Sequence, residues 1–498
     1  MNPADTAPAP AQVAPARAEP SSTMARTRQL VLARGVSALM TFCIPLVLAR
    51  MLSTTEYGTY KQFVLVAQTL YMVLPFGVVQ SLYYFLPRGE DRRAYLCQTH
   101  LFIGLVAATA ALVLWRFGDP LAVRLGNPGL GGLKIQLGLY AAGLLASLPF
   151  EVTFTARGRT GQAAITYVVS DFVRTAVMTI PVLLGYGMVG LATGLAAWAS
   201  ARWLAALLFT VRGEKGPAFS RQTWSAQWKY ALPFGTAMLV AVPQGYFHQY
   251  AVSASVSAAA FAVYSVGCFQ LPLVDLLYLP TTEILMVRIG ELDAENRTAE
   301  GAGVFREASS RLLMLFVPLA LFLFASGNDF IPALFSDRYR SAVPIFRIAV
   351  WAIVLASFPV DGALRARKRT DFILQSYVAK AVVGVPLVLI GLKLMGIEGA
   401  IVAWLAGEAF GKALLMAQLP TALETPMRKL VPFADLGRSV GAGLAAALAV
   451  TLFAFLAPPS KHLARLMCEA LLFGGIYAGG LAMLGAKPLD LIASFVRR

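Results

Sequence analysis

Apolar residues run along this chain in blocks of about twenty, separated by short polar stretches, from Leu30 to the C-terminus. An α-helix rises about 1.5 Å per residue, so crossing about 30 Å of hydrocarbon takes roughly 20 such residues. On that measure the pattern predicts fourteen spans, at 29–52, 62–86, 95–117, 133–156, 163–186, 188–211, 229–252, 258–286, 308–326, 342–364, 372–395, 397–419, 434–457 and 463–484. The longest polar stretches, 212–228 and 287–307, hold about 20 residues each, too few to fold as domains. The expected fold is an all-α polytopic membrane protein.

Composition sharpens this. The chain is 58% hydrophobic and 14% charged over 498 residues, whereas soluble domains run near about half apolar and about a quarter charged. An ordinary soluble enzyme is excluded. The net charge of +16 would by itself suggest nucleic acid, but the basic residues form short clusters between apolar blocks, as the positive-inside rule requires. A nucleic-acid partner is not expected. With the N-terminus cytoplasmic, the cytoplasmic side receives clusters such as Arg88, Arg92 and Arg93, Arg157 and Arg159, and Arg365, Arg367, Lys368 and Arg369. The opposite side receives mainly scattered cations such as Arg50, Lys61, Arg116 and Arg338, and the bias exceeds two to one. Both termini are therefore expected in the cytoplasm. Residues 1–28 are Ala/Pro-rich with no apolar core of a signal peptide, and read as a disordered cytoplasmic tail.

The chain also repeats itself. Leu145 to Thr160 reads LASLPFEVTFTARGRT and Leu355 to Thr370 reads LASFPVDGALRARKRT, identical at eight of sixteen positions at an offset of 210. Glu151 faces Asp361 as a conservative match, Gly187 to Gly190 faces Gly396 to Gly399, and Tyr57 to Tyr60 faces Phe261 to Tyr264. The matched segments lie six spans apart, so the halves share one orientation in the membrane. Two parallel six-helix lobes related by an axis along the membrane normal would then enclose a central cavity. The expected divisions are an N-lobe at 29–211, a cytoplasmic linker at 212–228, a C-lobe at 229–419, and a last helix pair with a cytoplasmic C-terminus at 420–498. Glu151 and Asp361 are expected to brace the lobe ends near the Arg157/Arg159 and Arg365/Arg367 clusters.

No nucleotide-binding, zinc-protease or nucleophile-elbow motif is present, so no catalytic residue is assigned. The four cysteines never pair as CxxC, and the three histidines lie far apart, so no metal site is expected. The informative residues are ionisable ones within spans, where a charge costs about 2.5–3.5 kcal/mol on insertion scales. Asp171 and Arg174 at i,i+3, and Glu408 and Lys412 at i,i+4, have the spacing of self-neutralised structural pairs. Arg34, His248, Asp275, Glu283 and Lys380 have no such local partner. Arg34 near a span end can snorkel to the surface, and His248 can hydrogen-bond a neighbouring helix. Asp275 sits amid LPLVDLLYLP between Pro272 and Pro280, where snorkelling does not serve, and points to function. Prolines recur inside the spans, including the repeat mates Pro149 and Pro359, and suit helices that bend.

The opening segments Leu48 to Ser53, Glu56 to Tyr60, and Gly77 to Pro87 resemble the start of the Wzx-type oligosaccharide flippases. These belong to the multidrug/oligosaccharidyl-lipid/polysaccharide (MOP) exporter superfamily. The parallel repeat extends the resemblance over about residues 29–419, and the last two spans resemble the longer members, including lipid II flippases. The resemblance implies two lobes around a cationic cavity lined by spans 1, 2, 7 and 8. It implies a polyprenyl-diphosphate-linked oligosaccharide carried from the inner to the outer leaflet of the bacterial inner membrane, for cell-surface polysaccharide biosynthesis. Arg34, Arg50, Lys61 and His248 would then contact the substrate, and Asp275 and Glu283 would bind a coupling H⁺ or Na⁺, with no other cofactor. Membrane lipids and polysaccharide-assembly proteins would be its further partners. Two other readings compete: a polytopic polysaccharide polymerase or ligase, for which no outward loop is long enough, and a drug or cation antiporter of the same superfamily.

Overall fold

The computed structural model describes residue 35 and residues 39–88, 91–456 and 461–485. Arg34 and the expected tail at 1–28 lie outside the described residues, among which there is no strand. Helix α1 (Leu39–Met51) ends just before a capping box. The Ser53 hydroxyl accepts from the Glu56 N–H at 3.2 Å, and the Glu56 carboxylate accepts from the Ser53 N–H at 3.0 Å. That box starts α2 (Thr54–Val73), which continues 47° off axis as α3 (Val78–Phe85). The first half continues with α4 (Arg92–Arg124), α5 (Pro128–Gly131), α6 (Lys134–Ala146), α7 (Pro149–Ala156), α8 (Thr160–Leu183) and α9 (Gly187–Val211).

The second half opens with α10 (Arg221–Ser253), followed by α11 (Ala258–Gly267) and α12 (Pro272–Ala294), which repeat the bend at 50°. Ser257 caps α11 as Ser53 caps α2, accepting from the Ala260 N–H at 3.3 Å. Next come α13 (Gly301–Ala325), α14 (Gly327–Leu334), α15 (Val343–Ala349), α16 (Trp351–Leu355) and α17 (Val360–Ala366). The chain closes with α18 (Thr370–Ala422), α19 (Met427–Leu430), α20 (Phe433–Leu456) and α21 (His462–Met483). Helix α18 folds back on itself at Gly396, where φ is 63° and ψ is −148°, a conformation left to glycine. Its two arms meet at Gly391 and Gly399. Gly187, the repeat mate of Gly396, likewise takes a positive φ of 53° between α8 and α9.

Among the described residues, nine helices are long and apolar enough to span a membrane, and the two bent pairs bring this to eleven. With α18 turned back into two arms, and with α1 and the more polar α10, the helices are consistent with the fourteen spans read from sequence. The chain is a multi-pass membrane protein. In the first half, α6 packs on α4, α9 and α2; in the second, α18 packs on α10, α15 and α17. Helices α20 and α21 pair with each other and lie on α13 and α14, joined by a cluster of Leu313, Val317, Ala446, Val450 and Phe473.

The loops alternate between two ends. At one end Arg93 donates to the Gly216 carbonyl at 2.9 Å, Arg157 pairs with Glu214 at 2.6 Å, and Arg367 pairs with Asp293 at 3.0 Å. This is the basic end. At the other, Gly126 packs on the Val256 carbonyl, and the 336–340 segment packs on the end of α1.

Candidate functional site

The two lobes close on each other at the end away from the basic clusters. Gly58 of α2 lies so tight on α11 that a Cβ there would stand 1.8 Å from the Ala258 carbonyl oxygen. Gln62 reaches across to Ser253 at 2.8 Å. Two arginines then cap helix ends across the seam in both directions. Arg338 donates to the carbonyls of Arg50 at 2.7 Å and Leu52 at 3.2 Å, at the C-terminus of α1. Arg50 donates to the Ala333 carbonyl near the end of α14. Carbonyls at a helix C-terminus lack intrahelical donors and carry the negative end of the dipole, so a guanidinium suits them. Tyr57 and Tyr339 pack edge to face behind these caps at 5.6 Å.

Towards the basic end the same helices separate. After their bends, α3 packs on α4, α7 and α10, while α12 packs on α13 and α17. At the level of the bend a pocket of about 160 Å³ is lined by His248, Cys268, Asp275, Phe346 and Trp404, among others. Lys61 lies close to Cys268, with its ammonium 5.6 Å from the Tyr57 ring. Asp275 is exposed in the first turn of α12, and Glu283, about two turns further on, is exposed as well. Leu285, Ile289 and Leu292 further along the helix are buried.

Each lobe also holds its own charge cluster. In the first, Asp171 and Arg174 pair at 3.0 Å as their spacing predicts, and Arg174 reaches Thr41 of α1 at 2.6 Å. Arg202 of α9 binds Glu151 at 2.6 Å, Ser147 at 3.0 Å and Ser170 at 2.5 Å. In the second, Lys380 pairs with Glu408 at 2.6 Å across the two arms of α18. Tyr278 donates to Asp361 at 3.2 Å, and Lys412 donates to the Phe358 carbonyl at 3.1 Å. Asp361, Lys380, Glu408, Lys412, Tyr377 and Gln244 share a pocket of about 240 Å³.

Several expectations are corrected by this geometry. Arg50 is spent on the closed seam rather than turned into the cavity. His248 shares a hydrogen bond of 2.6 Å through Nδ1 with the Tyr264 hydroxyl and packs on Trp404 at 5.0 Å, the neighbouring-helix bond open to it from sequence, and it still lines the pocket at the bend. Glu408 pairs with Lys380 instead of Lys412, because the turn at Gly396 brings the antiparallel arm nearer than the next helical turn. Glu151 and Asp361 meet Arg202 and Tyr278 instead of the terminal arginine clusters. Among the described residues, Arg174, Arg202 and Lys380 inside the two halves each have an acidic partner, Asp171, Glu151 and Glu408. Arg202 was missed from sequence, although an arginine within the apolar 188–211 run was its signal.

The sequence profile of the polysaccharide biosynthesis protein family matches residues 47–344. No curated protein matches the chain by sequence. Among solved structures, the chain is similar to the lipid II flippase MurJ in an inward closed conformation, with a TM-score of 0.73 at 13% identity, covering 91% of this chain and 99% of that one. It is similar to an inward-facing multidrug resistance MATE transporter of the MOP superfamily, at TM-score 0.64 and 12% identity, over 78% of this chain and 94% of that one. A MOP superfamily transporter from Pyrococcus furiosus matches at TM-score 0.56 and 12% identity, over 82% of this chain and 98% of that one. This chain therefore belongs to the polysaccharide biosynthesis protein family and shares the fold of the MurJ and MATE structures it matches.

Proposed function

We propose that the protein flips a polyprenyl-diphosphate-linked oligosaccharide from the cytoplasmic to the outer leaflet of a bacterial inner membrane by alternating access. The observation that carries this reading is the opposed behaviour of the two ends. The lobes are sealed by reciprocal arginine caps at one end, while α3 and α12 diverge beyond their 47° and 50° bends at the other. The basic end would be cytoplasmic under the positive-inside rule, with both termini on that side. A lipid diphosphate needs cationic donors for its head and can leave its tail in the bilayer. Arg34 and Lys61 are the proposed donors. Asp275 and Glu283 are the proposed sites for coupling H⁺ or Na⁺, because neutralising a carboxylate changes the cost of closing the cavity around it.

The test is translocation by purified protein in liposomes loaded with fluorescent polyprenyl-diphosphate saccharides, with and without imposed H⁺ or Na⁺ gradients. Protein-dependent movement of the lipid-linked saccharide supports the reading. Export of a cationic dye without movement of lipid-linked saccharide would assign the chain to the antiporter class instead.

A further inference from the structure

The break between α11 and α12 leaves polar groups unused at the wall of the 160 Å³ pocket. Residues 268–271 are not helical, and among the described residues the N–H groups of Gln270 and Leu271 meet no acceptor. The side chains of Gln249, Gln270 and Asp275 line the same space, and none has a hydrogen-bond or ion-pair partner among the described residues. His248, only 4% exposed, spends Nδ1 on Tyr264 and keeps Nε2 without a partner.

The pocket is walled by α10, α12, α13, α15, α16 and the second arm of α18. The first half touches that wall at two residues. Phe42 of α1 meets Phe269 with ring centroids 5.4 Å apart, and Lys61 of α2 lies beside Cys268. The space therefore sits between helices at the seam of the two halves, not on the lipid-facing surface. Lys61, at its rim, has no carboxylate partner among the described residues.

These groups select a ligand by their chemistry. Amides donate and accept, free N–H groups donate and a carboxylate accepts, which matches hydroxyls that do both at once. Asp275 opposes an anion inside the pocket, whereas Lys61 favours one at the rim. A water needs about 10–15 Å³ of such space, so 160 Å³ takes about ten water-sized groups. That is room for one sugar ring and not for an oligosaccharide.

We propose that the pocket is a subsite for the first sugar of the lipid-linked substrate, held by Gln249, Gln270 and Nε2 of His248, with the adjoining diphosphate on Lys61. This rests on the flippase reading and names the class of sugar that it carries next to the lipid. The sugar is neutral, because Asp275 stands in the wall. Asp275 keeps its proposed part in ion coupling.

Binding is measured by microscale thermophoresis on the full chain in nanodiscs. The probes are polyprenyl diphosphate alone and the same lipid bearing a neutral hexose, an N-acetylhexosamine or a hexuronic acid. The wild type should bind at least one neutral-sugar lipid about tenfold more tightly than the bare and uronate forms. Gln249→Leu and Gln270→Leu should each cut that preference about fivefold, with bare-lipid affinity within about twofold of wild type. Lys61→Gln should weaken every one of these lipids and leave the preference standing. With Cys43, Cys97 and Cys468 replaced by serine, saturating neutral-sugar lipid should slow maleimide alkylation of Cys268 more than saturating bare lipid does.

The subsite is overturned if the wild type prefers no neutral sugar or prefers the uronate, or if the leucine variants keep the full preference. Equal alkylation of Cys268 under bare and glycosylated lipid also overturns it. So do leucine variants that weaken bare and glycosylated lipids alike, which would mark the glutamines as structural contacts. If no lipid binds the wild type, bare lipid included, it is the flippase reading itself that falls.

Discussion

Replacing Arg338 by alanine should open the sealed end. Its guanidinium makes two charged hydrogen bonds, at 2.7 and 3.2 Å, to carbonyls at the C-terminus of α1, with a third carbonyl, of Ala49, at 3.5 Å. A charged hydrogen bond contributes about 1.5–3 kcal/mol when buried. Arg338 is largely exposed, which screens most of that, and about 0.5 kcal/mol per bond is a fair discount. The helix dipole adds roughly 0.3–1 kcal/mol. The sum, about 1–2 kcal/mol, corresponds to roughly a 5–30-fold shift of population towards an opened seam. Cys268, lining the pocket beneath the seam, is the reporter once Cys43, Cys97 and Cys468 are replaced by serine. A membrane-impermeant maleimide added to the outside should then alkylate Cys268 about 5–30 times faster in Arg338→Ala. Arg338→Lys should fall between, since an ammonium keeps the charge but not the forked geometry. Unchanged alkylation in both Arg338→Ala and the Arg50→Ala/Arg338→Ala double variant would refute the reasoning, and would leave the α2–α11 packing as the whole of the seal.

Three further outcomes follow from the charge clusters. Glu151→Gln should destabilise the protein by about 3–5 kcal/mol, because it leaves Arg202 buried without its counter-charge; thermal unfolding in detergent should show the Glu151→Gln/Arg202→Met pair less damaged than Glu151→Gln alone. Lys380→Glu and Glu408→Lys should each lower expression and thermal stability, and the swapped double variant should recover most of the loss, whereas Lys412→Ala should not be rescued by any change at Glu408. Asp275→Asn should leave substrate binding within about twofold and abolish the response of flipping to an ion gradient, once normal membrane insertion is established; a wild-type gradient response in flipping assays would reduce Asp275 to a polar contact lining the pocket at the bend.

The spans and the repeat were legible because hydrocarbon thickness writes itself into sequence as a length, and because Leu145 to Thr160 and Leu355 to Thr370 kept their polar residues in step. The Ser53 to Glu56 segment, which bridges two stretches that carry the resemblance, has a local cause: it is a capping box that sets where α2 begins. Partners across helices were not legible. Lys380 and Glu408 lie 28 residues apart, and only the reversal at Gly396 makes them neighbours, while the i,i+4 spacing of Glu408 and Lys412 offered a simpler pair. Arg50 misled for a related reason. Its place at a span end was plain, but which carbonyl it would cap depended on α14, almost three hundred residues away.

The repeat also makes the two lobes comparable atom for atom, and they differ where it matters mechanically. In the first lobe Glu151 and Arg202 close directly on each other, with Ser147 and Ser170 also accepting from the guanidinium. In the second, Asp361 and Lys412 stand at the equivalent positions but are not paired. Tyr278 of the bent α12 takes one Asp361 oxygen, the other is buried without a partner, and about 240 Å³ of space lies beside them. Glu151 too keeps one oxygen buried without a partner, but it is held in a direct ion pair, whereas charges lining a void can exchange partners at lower cost. The hydrogen bond from Tyr278 makes that exchange depend on α12, the same helix that carries Asp275 and Glu283. A change of charge on α12 thus has a short physical route into the C-lobe interior, through one hydroxyl and one carboxylate, whereas in the first lobe the matching carboxylate, Glu151, is held by Arg202.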